Sequence, residues 1–130
     1  MTALRFPFLV PADDDYCLFP DDWESNELIL FHGTSAAAAK QIDLAGFRAP
    51  ITLPSVSFSK SSALALKYGC DHRSEESPDG CVIAVQYDIL DGLDVGPSVV
   101  HDYRLDNGRT LQCGPKIIGY CCIPANYDFV

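Results

Sequence analysis

Residues 27–46 read ELILFHGTSAAAAKQIDLAG, and the change of hydrophobic period inside this stretch sets the fold class. Glu27 to His32 is a short, nearly continuous apolar run, the pattern of a buried strand. Gly33 is expected to end that strand. Thr34 or Ser35 is a fair N-cap for a helix through Ala45, with Gly46 as its C-terminal stop. Ala38, Ile42 and Ala45 fall on one face, so this helix is expected to pack closely through small residues. A second strand–helix unit follows after Pro50 and Pro54. Ser55 to Ser59 (SVSFS) alternates in strand fashion, and Ser61 or Ser62 caps a helix, SALALKY, expected to stop at Gly69.

Outward from these units the chain turns to strands. Cys70 to Gly80 is polar and ends in Pro78-Asp79-Gly80, so it reads as a loop. Cys81 to Tyr87 (CVIAVQY) is the strongest strand signal of the chain. Val99 to Leu105 and Arg109 to Cys113 flank Asp106-Asn107-Gly108, and Asn-Gly between two such runs predicts a hairpin. Ile117 to Ile123 makes a last strand. The expected fold is α+β: a compact mixed domain with a mainly antiparallel sheet and two short helices. Residues 1–26 are rich in Pro and Asp. They are expected to form an acidic N-terminal arm packed on the domain of residues 27–130 through Phe6, Phe8, Leu18, Phe19 and Trp23, one domain in all.

Composition narrows the function classes. The 130 residues are 48% hydrophobic and 21% charged, which excludes wholesale disorder, collagen and coiled coil. No apolar run approaches the ~20 residues of a membrane-spanning helix, and MTALRFPFLV at the start is a poor secretory signal. A soluble, cytoplasmic monomer that does not engage membranes is the expectation. Net charge is −9, and seven of the 18 acids fall between residues 11 and 27, where there is no base. That strip reads as a solvated segment or a face for a basic partner. No Lys/Arg cluster exists, so binding of nucleic acid by charge alone is disfavoured. The six cysteines are expected to be free thiols. Cys70, His72 and Cys81 offer three metal ligands without a fourth, so no metal is expected.

The residues with chemistry lie at the junctions of the two strand–helix units. A His at a strand end can turn a ring nitrogen toward a ligand hydroxyl. The adjacent Gly lets bare backbone approach a planar amide, and Tyr68 can stack on a flat ring. No Gly-x-Ser-x-Gly elbow, Gly-x-Gly-x-x-Gly or phosphate-binding loop occurs.

LFHGTS at 30–35, Ser57-Phe58-Ser59 in the next strand, and Tyr68 eleven residues past Ser57 together resemble the ADP-ribosyltransferase superfamily. The likeness is to its poly(ADP-ribose) polymerase and diphtheria-toxin-like, His-first branch, over residues 28–123. It implies a split sheet and NAD as co-substrate. It also implies cleavage of the nicotinamide–ribose bond with mono-ADP-ribosyl transfer to a macromolecular, protein acceptor, in the manner of toxins and effectors delivered into a host cytoplasm. His32 would bond the adenosine ribose, Gly33 and Thr34 would hold the nicotinamide end, and Ser57, Ser59 and Tyr68 would line its pocket. His32 and Tyr68 would share the catalytic work with an acid. Three departures stand out. Ser57 replaces the family's first Tyr, Ala65 replaces a Ser three residues before the second, and no Glu follows Glu76. For the late-strand acid that steadies the oxocarbenium charge, Asp106 is the first candidate, Asp102 the second and Gln112 a neutral third. Arg48, Lys60 and Lys67 are candidates for the pyrophosphate. The alternatives are a catalytically inactive NAD or ADP-ribose binding module, a related transferase acting on RNA 2′-phosphate, and an acidic protein-interaction protein.

Overall fold

A computed structural model describes residues 3–10, 17–49, 52–105 and 110–128. The elements are β1 (Leu4–Phe6), α1 (Asp21–Glu24), β2 (Ile29–Ser35), α2 (Ala36–Ala45), β3 (Ser55–Ser59), α3 (Ser62–Asp71), β4 (Gly80–Gln86), β5 (Asp94–Val95), β6 (Val99–Tyr103) and β7 (Lys116–Ile123). The strands lie in the order β1-β7-β4-β2-β3-β6-β5. All neighbours are antiparallel except β1 and β7. The α+β class and the mostly antiparallel sheet are as the sequence implied. The described helices number three and not two, because α1 forms a single turn inside the arm. The arm also supplies β1, which pairs with β7 from Leu4↔Gly119 to Phe6↔Cys121. A three-residue strand has too little period to be read from sequence.

β4 explains why CVIAVQY was so legible. Its residues point alternately into two apolar layers, so both faces are buried and the run is continuous. Leu30, Phe58, Ile83, Val85 and Val100 pack in one layer with Ala39 of α2. Phe31, Val82, Ala84, Cys121 and Ile123 pack in the other with Ala65 and Leu66 of α3 and with Leu18 and Phe19 of the arm. Phe19 stacks on Phe31 at 5.3 Å, and Phe6 meets Trp23 edge-on at 5.1 Å.

Two expected stops are not stops. β2 continues through Gly33 to Ser35, because what Gly33 provides is space. A Cβ there would sit 1.8 Å from the backbone oxygen of Ala65, so only glycine lets α3 lie against β2. α3 likewise continues past Gly69 to Asp71, taking the first residues of the expected loop; a Cβ on Gly69 would meet Ile123 Cδ1 at 2.6 Å. The caps fall where the sequence allowed. Ser35 Oγ accepts from Ala38 N at 3.1 Å, and Ser61 Oγ accepts from Leu64 N at 3.2 Å.

Glu24 of the arm adds to the α3 cap. Its carboxylate accepts from the Ser62 hydroxyl at 2.6 Å, from Ser62 N at 3.3 Å and from Phe19 N at 3.2 Å. A negative group at a helix N-terminus is favoured by the helix dipole. This acid of the strip is therefore tied down and not merely solvated.

The expected strand over 109–113 does not form a ladder among the described residues: only the bridges Arg48↔Thr110 and Arg104↔Leu111 occur. The Asp106-Asn107-Gly108 turn lies outside the described residues. No helix among the described residues is long and apolar enough to cross a membrane.

Candidate functional site

The sheet divides where β2 meets β3. β2 pairs with β4 over seven residues, from Ile29↔Gln86 to Ser35↔Gly80, but with β3 through Phe31↔Ser59. Past that pair the strands part, and a cavity of about 960 Å³ opens between them, at the upper end of the range for small-molecule sites. His32, Gly33 and Thr34 of β2 form one wall and Ser55, Ser57 and Ser59 of β3 another. Tyr68 and His72 close it from the end of α3, and Val99 and His101 from β6. Ala38, Ile42 and Ala45, expected to face a close packing partner, border the cavity with their shared face, and Ile42 also packs against the core.

Every residue carried over from the LFHGTS and Ser57–Tyr68 motifs thus borders one space. His32 is fixed most firmly. Its Nδ1 lies 2.9 Å from the Ser57 carbonyl oxygen, across the split. Its ring stands edge-on to Phe47 at 5.2 Å and tilted against Phe58 at 5.6 Å. Burial holds its pKa below 6.5, opposed by the bond to Ser57 and reinforced by the nearby charge of His72. The ring is therefore neutral at pH 7. A carbonyl only accepts, so Nδ1 carries the proton and Nε2 is left as an acceptor. Tyr68 is 41% exposed, which leaves its ring open to stacking. Thr34 and Ser59 are buried at the back.

The acid candidates fare differently. Asp106 lies outside the described residues. Asp102 is fully buried and faces away from the cavity. Its carboxylate accepts from the Tyr87 hydroxyl at 2.8 Å, from Gly114 N at 3.0 Å and from Cys113 N at 3.2 Å. Those bonds tie β6 to the residue after β4 and satisfy the buried carboxyl group, whose full burial outside the cavity lining keeps it from a ligand there. Burial, with the Asp102 bond, pushes the Tyr87 hydroxyl far up. Gln112 is exposed and does not line the cavity; its N–H donates to the Tyr103 carbonyl at 2.8 Å. Arg48 borders the cavity, whereas Lys60 and Lys67 do not.

Two titratable lining residues were missed as site residues in the sequence, His72 and His101. All three histidines of the chain border this cavity, and among its described lining residues there is no Asp or Glu. On β6 the polar residue facing the cavity is His101, the register partner of Ser57. Its Nδ1 lies 2.9 Å from Ser57 Oγ. The alternation of Val99 to Leu105 placed His101 and Asp102 on opposite faces, but nothing local said which face was open. Among the described residues no group of three or more His, Cys, Asp or Glu is arranged to hold a metal ion. Cys70, Cys81, Cys113, Cys121 and Cys122 form no disulfide.

Neither a protein-family model nor a curated protein sequence matches the chain.

Proposed function

We propose that the cavity binds NAD and that the protein transfers ADP-ribose from it to a macromolecular acceptor. The observation that carries this reading is the bond from His32 Nδ1 to the Ser57 carbonyl. It fixes the tautomer in which Nε2 accepts a ribose hydroxyl, and it holds the first and second motif residues around one space of fitting size. In this reading Gly33 admits the nicotinamide carboxamide against bare backbone, and Tyr68 stacks on the nicotinamide ring. Ser57 widens the pocket where the family resemblance calls for a second aromatic. Arg48 brings a positive charge to the rim of the cavity, suited to a pyrophosphate, in a chain whose net charge is −9.

A second reading, a module that binds NAD without cleaving it, is favoured by the lining. Among the described lining residues there is no Asp or Glu, and opposite Ser57 the cavity wall carries His101. An imidazole stabilises a developing oxocarbenium charge far less than a fixed carboxylate.

Nicotinamide release from NAD, measured with and without lysate as acceptor, separates the two. Release over many turnovers that requires lysate and disappears in His32→Ala is the expected result for the transferase. Saturable NAD binding, lost in His32→Ala and without release, establishes the binding module. Neither binding nor release ends the NAD reading.

A further inference from the structure

The Ser57 hydroxyl has a place in this cavity that NAD binding does not account for. Its carbonyl is engaged by His32, but the side chain is exposed, borders the cavity and lies 2.9 Å from His101 Nδ1. The ladder enforces that approach. Ser57 and His101 are register partners in β3 and β6, so their side chains leave the same sheet face directly opposite one another. A hydroxyl within hydrogen-bond reach of an imidazole is the arrangement of an activated nucleophile and its base.

We infer that Ser57 is itself an ADP-ribose acceptor, with His101 as its general base, so that the site modifies and closes itself when no macromolecular acceptor is docked. This rests on the reading of the cavity as an NAD site. The bond between ribose C1′ and the nicotinamide nitrogen breaks, and its electron pair leaves with neutral nicotinamide. The Ser57 Oγ–C1′ bond forms, and the Oγ proton passes to His101 Nδ1 and then to solvent. Nothing is oxidised or reduced. With no carboxylate among the described lining residues to steady the cationic carbon, the hydroxyl beside His101 is the group placed to capture it. The product is an O-glycoside, stable at neutral pH, and the bound ADP-ribose fills the cavity against a second NAD.

The test incubates the full chain with NAD and no acceptor. Intact mass, peptide mapping and nicotinamide release are followed, with NAD binding measured in parallel. The expected result is one ADP-ribose per chain, mapped to Ser57, with nicotinamide levelling off at the same amount. The adduct survives neutral hydroxylamine, which cleaves ester-linked ADP-ribose from Asp or Glu. Ser57→Ala, which keeps the backbone carbonyl that holds His32, takes up no label. His101→Ala labels about 100-fold more slowly, and imidazole in the buffer restores part of the rate. An adduct on another residue, continuous release without an adduct, or NAD binding without release overturns the self-modification and leaves the NAD site standing. Failure of the wild-type chain to bind NAD removes both.

Discussion

The two neighbours of β2 differ in how much of it they pair: β4 takes its whole length, whereas β3 takes Phe31 and then turns away. On the β4 side both faces are apolar and closed, and Val82, Ala84 and Val85 are fully buried. On the β3 side the lining is His32, Thr34, Ser57, Ser59 and Tyr68 around an open space. The difference teaches how one strand serves two purposes. A completed ladder satisfies backbone groups and fixes position, and the same strand's other edge, left unpaired beyond one residue, offers a rigid wall to a ligand. The halves are also tied beneath the cavity, where Tyr87, just after β4, donates to Asp102 of β6.

Gly33→Ala strikes both sides at once and carries the largest expected effect. The new Cβ meets the Ala65 backbone oxygen at 1.8 Å, so α3 must leave β2. Denaturant unfolding should show a loss of about 3 kcal/mol or more, with NAD binding lost alongside.

Asp102→Asn probes the tie between the halves. An amide nitrogen would face one of the donors that now point at the carboxylate, so a loss of about 2–3 kcal/mol is expected, with NAD affinity unchanged. Abolished nicotinamide release in a variant of wild-type stability would instead return Asp102 to the catalytic role.

The pair Val82→Ala and His32→Ala sharpens the contrast. Val82→Ala should cost about 2 kcal/mol of stability and leave NAD binding alone. His32→Ala should change stability by less than about 1 kcal/mol while weakening NAD binding by about tenfold or more. Equal effects on both quantities in both variants would erase the distinction between ladder and split.

The smallest effects lie in the pH dependence, where each side owns one limb. Burial on the ladder side pushes the Cys81 thiol up to about 12 and Cys121 up to about 11, from 9.0. Thiols raised in the fold contribute stability that is complete below pH 9.0 and is lost as pH rises through those values. His32, on the split side, is lowered from 6.5, so the folded state binds fewer protons than the unfolded chain. Its contribution is present above pH 6.5 and is lost as pH falls. Melting temperatures between pH 7 and about 5 should therefore fall less steeply in His32→Gln than in wild type. An unchanged acid slope would place the lost protons on other groups.

Much of this was legible because the informative residues sit at element junctions. His32-Gly33-Thr34 and the Ser57–Tyr68 spacing belong to two consecutive strand–helix units, and both units form. The arm was harder to read. Phe6, Phe19 and Trp23 were recognisable as anchors, but β1 exists only because β7 offers its edge, and Glu24 matters only because α3 begins beside it. The choice between His101 and Asp102 was beyond local reading. They are adjacent on one strand, so alternation separates their faces without saying which face meets Ser57.

By itself the sequence determined the α+β class, the two strand–helix units, their serine caps and the doubly buried β4, because period, caps and apolar runs act within a few residues. Only the tertiary structure decided that β2 and β3 part after one pair, that three histidines converge on the resulting cavity, and that Asp102 closes into the interior. Those outcomes depend on which strands become neighbours, and pairing between distant segments is set by the packing of the whole chain.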